Sequence, residues 1–175
     1  PVRGFSFARE VGPVLDTHCV GCHGGGTPPD LRADQGFYVA YEGGNPEKKI
    51  MRGARKEDLL GKFAAVFEPA YVELRKYVRV GGLESDLHEL EPMEFHAGTS
   101  ELVQMLAKGH HGVALDAEAW DRIVTWIDLN APCHGTWAET TRLPGDQRAR
   151  RMELRRLLGG RPEDGEDIPA LPPAA

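Results

Sequence analysis

The chain has 175 residues, 41% hydrophobic and 27% charged, with a formal net charge of −6. These proportions suit a folded domain with a real core plus extensions, and no apolar run approaches the length of a membrane span, so the chain is not expected to be integral to the membrane. The negative balance argues against nucleic acid or anionic lipid as the main partner and leaves soluble redox proteins open.

In chain order, Phe5 to His18 is predicted to be helical toward its end. Val11, Val14, Leu15 and His18 share one face, and Pro13 is tolerable in a first turn. Cys19-Val20-Gly21-Cys22-His23 is expected at the C-terminal end of that helix, and Gly24-Gly25-Gly26-Thr27-Pro28-Pro29 stops any continuation. The CxxCH places two thiols three positions apart, followed at once by an imidazole. That pattern suits one covalently attached haem c, bonded through Cys19 and Cys22, with His23 as the proximal iron ligand. A thioredoxin-like redox pair would need a βαβ context, and a structural zinc site would want a second Cys or His pair, whereas only Cys133 remains.

The middle of the chain carries weaker signals and is expected to be a loop-rich insertion. Phe37 to Tyr41 has strand content, Gly43-Gly44-Asn45-Pro46 reads as a turn, and Glu57 to Phe67 as a short helix. Ala70 to Val80 reads as a helix ended by Gly81-Gly82, with a strand as the alternative over Tyr77 to Val80.

The second half is clearer. Thr99 or Ser100 is expected to cap a helix carrying Leu102, Val103 and Leu106 and ending at Lys108-Gly109. Asp116 is expected to cap another, with Trp120, Ile123, Val124 and Ile127 on one face and Glu118, Asp121 and Arg122 facing outward; Asn130-Ala131-Pro132 ends it. Asp146 to Leu158 is a third late helix, its five arginines forming either a solvated face or a docking surface for an acidic partner or another copy of the chain. Residues 161–175, rich in Pro, Asp and Glu, read as an extended linker or wrapping tail. The expected organisation is a haem domain over 5–137, an arginine-rich helix over 138–160 and the tail.

Four residues are candidates for the distal iron ligand: His111, His110, Met93 and His96 each precede a helix in the part of the chain that must fold back over a haem. Ligand identity decides the chemistry. Two strong axial ligands close the iron and restrict it to electron transfer, whereas an open position would admit a small molecule. His18 is expected on the helix face near the haem. Cys133 is expected to be a buried small apolar side chain, with metal ligation or pairing to another chain as alternatives; His88, His134 and nearby acids could join it in a second metal site.

The run from Val11-Gly12-Pro13-Val14-Leu15 to Cys22-His23 resembles the opening of class I c-type cytochrome domains, and more narrowly of the planctomycete cytochrome c-like type. Leu106 to Leu115, leading to Trp126-Ile127-Asp128-Leu129-Asn130-Ala131-Pro132, looks like that family's distal-ligand loop and closing helix. Asn130 to Trp137 further resembles the haem-binding middle domain of the hydrazine synthase alpha subunit. The resemblance implies a mainly α, cytochrome c-like fold. Where the common pattern has a methionine loop, this chain has Gly109-His110-His111-Gly112, so the resemblance implies His111, with His110 next, as the sixth ligand of a bis-histidine iron.

The functional expectation is a mono-haem electron-transfer module working with redox partner proteins, rather than an enzyme. The alternatives are a catalytic haem domain of hydrazine synthase type, or a haem-bearing subunit of a self-associating, multi-haem conducting assembly. Covalent haem attachment occurs outside the cytoplasm, so a periplasmic or extracellular location is expected. Pro1-Val2-Arg3-Gly4-Phe5 lacks the pattern of a secretory signal, and the chain is therefore expected to be a piece of a longer precursor.

Overall fold

Trp126 is the side chain around which the helices assemble, fully buried with 0% of its surface exposed. The computed structural model describes residues 3–45, 47–81, 91–160 and 163–168. Trp126 lies on α7 (Ala117–Asp128), which buries Ala119, Ile123, Trp126 and Ile127 along one stripe. Its indole meets Phe7 of α1 (Phe7–Glu10) at 5.2 Å between ring centroids, and Phe7 meets Tyr71 edge-on at 5.3 Å. Tyr71 belongs to α5 (Pro69–Leu74). Val11, Val14 and Leu15, at the start and along α2 (Gly12–His18), complete this core with Leu31, Leu74 and Leu102.

The helix ends follow local chemistry. Asp116 caps α7 as expected, its side chain accepting from the Ala119 amide at 2.7 Å. Past its other end, Asn130 and Ala131 take left-handed φ values of 66° and 50°. This reversal lets the Ala131 carbonyl accept from the Tyr71 hydroxyl at 2.9 Å and the Pro132 carbonyl accept from the Trp126 indole at 3.0 Å. The chain then returns to its own start, where the Cys133 carbonyl accepts from the Phe7 amide at 3.0 Å.

Arg122 is a correction: expected to face outward, it is only 5% exposed. The flank of α7 covered by α1 is wider than the apolar stripe. The guanidinium is satisfied there by Glu118, at 2.5 Å, and by the Glu10 carbonyl, at 3.5 Å, while buried Glu10 pairs with Arg3.

The middle of the chain also departs from expectation. Phe37–Tyr41 is a strand, β1, as read, but it is the centre of an antiparallel three-stranded sheet ordered β2-β1-β3, with β2 at Lys48–Arg52 and β3 at Ala65–Phe67. Of the predicted Glu57 to Phe67 helix only residues 57–59 are helical, as part of α4 (Lys56–Leu59). Ala40, Leu59 and Val66 form a second small core, with Ala40 and Val66 opposite each other across β1 and β3. The fold is thus mixed α and β rather than mainly α. The predicted helix over Ala70 to Val80 is likewise shorter, α5 giving way to a 3-10 turn at Arg75–Tyr77, because Arg79 turns to donate its amide to Ser100 Oγ at 3.1 Å. That bond also occupies the hydroxyl expected to cap α6 (Glu101–Lys108), and Ser100 makes no side-chain cap. Among the described residues no helix is long and apolar enough to cross a membrane.

At the C-terminal end, α8 (Trp137–Thr140) precedes α9 (Gln147–Leu154), which continues as a π-helical turn over Arg155–Gly159. The described part of the tail wraps as one of its two readings proposed. Asp164 pairs with Arg148 and Arg151, Glu166 accepts from the Trp137 and Ala138 amides, and Ile168 is buried.

The closure of the two ends requires small residues at Gly4 and Gly135. A Cβ on Gly4 would stand 1.7 Å from the Gly135 carbonyl oxygen. We expect Gly4→Ala to lower stability by about 1–3 kcal/mol, as overpacking against backbone does, and Trp126→Ala by about 3–5 kcal/mol; urea unfolding measures both.

Candidate functional site

The CxxCH lies at the C-terminal end of α2, as expected, with Val20–His23 forming one further helical turn, α3. Cys19 joins the two, its amide bonded to the Leu15 carbonyl at 2.8 Å. The glycine-proline loop then doubles back. The Leu31 amide donates to the His23 carbonyl at 2.9 Å, and buried Leu31 pins the loop to the core. This return sets Pro29 beside the imidazole, with His23 Nδ1 3.1 Å from the Pro29 carbonyl. A carbonyl only accepts, so this bond requires the proton on Nδ1 and leaves the Nε2 lone pair of the neutral ring free for a metal.

Across from His23 lies His110, the ring centroids 6.0 Å apart and the planes within 13° of parallel. Two imidazoles bonded from opposite sides to one atom at about 2.0 Å have centroids roughly 6.2 Å apart. The two rings stack, and their centroid spacing is close to that value.

His110 rather than His111 faces the motif because of the turn they occupy. Val113 donates its amide to the His110 carbonyl at 2.9 Å, and the two residues between, His111 and Gly112, have φ of 49° and 79°. Positive φ at both central positions is the type I′ signature. His111 sits on the exposed corner, its ring edge-on to His110 at 4.8 Å and 82°. Gly109, at φ 94°, turns the chain out of α6 into this hairpin.

The other candidates sit differently. Met93 is 65% exposed in a turn at φ 65°. His96 uses Nδ1 to accept from the Gly98 amide at 3.1 Å, capping the 3-10 turn Ala97–Thr99. His18 Nε2 is buried with no hydrogen-bond partner among the described residues. Cys22 is exposed and Cys19 half-buried, both free thiols; burial, then the neighbouring Cys22, pushes the Cys19 thiol up to about 11, so it is protonated at neutral pH. The residues present fit a c-type haem: two unpaired thiols, a histidine whose Nδ1 meets the Pro29 carbonyl, and a second histidine stacked across from it.

Cys133 is buried, with its thiol donating to Glu68 Oε2 at 3.2 Å, and burial raises its pKa well above the ordinary thiol value. Glu68, which the sequence reading missed, also accepts from Lys56 at 2.6 Å. The sequence offered only a glutamate before Pro69, with nothing to link it to Cys133 sixty-five positions on. Among the described residues no group of three His, Cys, Asp or Glu is placed to hold a metal ion, which removes support for a second site at Cys133 and His134; His88 lies outside the described residues. His134 stacks on Phe67 at 5.7 Å, and burial lowers its pKa.

Comparison with protein-family models, curated proteins and solved structures finds no match to the chain.

Burial acts to raise Glu68, but Lys56, the Cys133 thiol and a backbone hydrogen bond together hold the carboxyl below the usual glutamate range. A carboxyl depressed on folding contributes stability above its unfolded pKa and loses it as pH falls through the folded one. We expect Glu68→Gln to cost about 1–3 kcal/mol at neutral pH and to flatten the acid limb of stability below about pH 4.3. Urea midpoints across pH for the two proteins test this.

Proposed function

We propose that the chain is a mono-haem c-type cytochrome module of cytochrome c-like fold that carries single electrons between redox partner proteins. The observation that carries this reading is the His23–His110 pair, 6.0 Å apart beside two free thiols, with His23 Nδ1 held by the Pro29 carbonyl. Cys19 and Cys22 would each add S–H across one vinyl group of the haem. When bound, the haem would supply a one-electron couple.

The chain's own residues account for the rest. The Pro29 carbonyl orients His23 and, by accepting from Nδ1, strengthens it as a donor. His110, brought in by the type I′ turn, is the best-placed distal ligand, ahead of His111 and Met93. Two imidazoles leave no position for a substrate and favour a lower potential than an imidazole–thioether pair. Covalent attachment implies an extracytoplasmic location, periplasmic or extracellular.

Absorption spectra of the haem-loaded protein test the assignment. We expect low-spin iron that does not bind carbon monoxide, converted to high-spin, carbon monoxide-binding iron by His110→Ala and left low-spin by His111→Ala. Iron that is already high-spin and exchangeable in the unaltered protein would overturn the bis-histidine claim, and haem released under denaturing conditions would overturn covalent attachment.

A further inference from the structure

α9 and its π-helical continuation present an apolar stripe that is exposed among the described residues. Leu154, Leu157 and Leu158, spaced to share one face, are 42%, 64% and 84% exposed. A helix of a folded domain ordinarily buries such a stripe. Its surroundings are basic. Arg148 and Arg151 are taken up by Asp164 and Glu166. Among the described residues Arg150 and Arg156 are exposed with no ion pair, and Arg155 Nε is buried with no hydrogen-bond partner.

The rest of the chain has the opposite character. Five arginines against one glutamate give residues 147–159 four excess positive charges, so with an overall charge of −6 the remainder is ten charges negative. Part of that charge forms a helix face of matching form. On the outer side of α7, Glu118, Asp121 and Asp128 are exposed beside Leu129, itself 53% exposed. Arg122 neutralises Glu118, while Asp121 and Asp128 make no ion pair among the described residues. One surface offers leucines and arginines without ion pairs, the other a leucine and Asp121, with Asp128 accepting from the Ala97 amide at 2.8 Å.

We propose that the leucine–arginine face of α9 docks onto the acidic outer face of α7 in a second copy of the chain. The two faces differ, so the contact is heterologous and extends into a ring or a filament; pairing α9 with α9 would set like charges together. Its charged part weakens with salt. The proposal does not rest on the haem reading, and the absorption spectrum of the same samples reports on haem separately.

Sedimentation velocity of the full chain across concentration, at low and high salt, is the test. Concentration-dependent association is expected, weaker at high salt, abolished by Leu157→Glu with Leu158→Glu, and weakened roughly tenfold by either Arg156→Glu or Asp121→Arg alone. Because a variant could simply fold poorly, the deciding measurement is the charge swap: Arg156→Glu mixed with Asp121→Arg should associate more tightly than either variant with itself. A species that stays monomeric at all concentrations would overturn the proposal, as would a swap without recovery. Binding of the monomer to phosphatidylglycerol vesicles through the same leucines would assign the face to lipid and overturn it too.

Discussion

The contact on which the rest depends is the crossing of α1 and α7, where Phe7 packs on Trp126. The two residues lie more than a hundred positions apart, so loop closure opposes their meeting, and burial of both aromatic side chains offsets it. The crossing is reinforced where the chain doubles back through Asn130 and Ala131 and the Cys133 carbonyl bonds the Phe7 amide. Arg122 shows how complete the cover is. A guanidinium is tolerated under it because Glu118 and a backbone carbonyl satisfy its donors.

That crossing places the candidate site. α2 leads directly from α1 into α3, so anchoring Val11, Val14 and Leu15 in the core fixes the helical turn that carries Cys19, Cys22 and His23. α6 enters the same core through Leu102, and the hairpin beyond it brings His110 across from His23. The site is therefore held by two short loops, each tied at its base to a buried residue. Such a construction orients two imidazoles without a deep pocket, which suits the proposed role of holding an iron closed.

Much of this was legible beforehand, for identifiable reasons. The CxxCH is a local pattern, so its three side chains were legible from spacing alone. α7 was legible because apolar periodicity and a capping aspartate agree, and the strand at Phe37–Tyr41 because its aromatic and β-branched residues carry it. Ala65–Phe67 failed because three residues have no period, and their strand conformation comes from pairing with β1. Arg122 failed because charge was read as exposure. The Glu68–Cys133 bond was invisible because nothing along the chain couples those positions.

The sequence by itself determined which residues are available: two thiols, a histidine after them, and a pair of histidines in a glycine-flanked loop. It left His110 and His111 as neighbours with equal chemistry. Only the tertiary structure separated them. Hairpin geometry forces positive φ at His111 and Gly112, which turns His111 to solvent and His110 toward His23. Backbone direction in a turn, set by a hydrogen bond and by the elements on either side, is a property that residue identity alone does not carry.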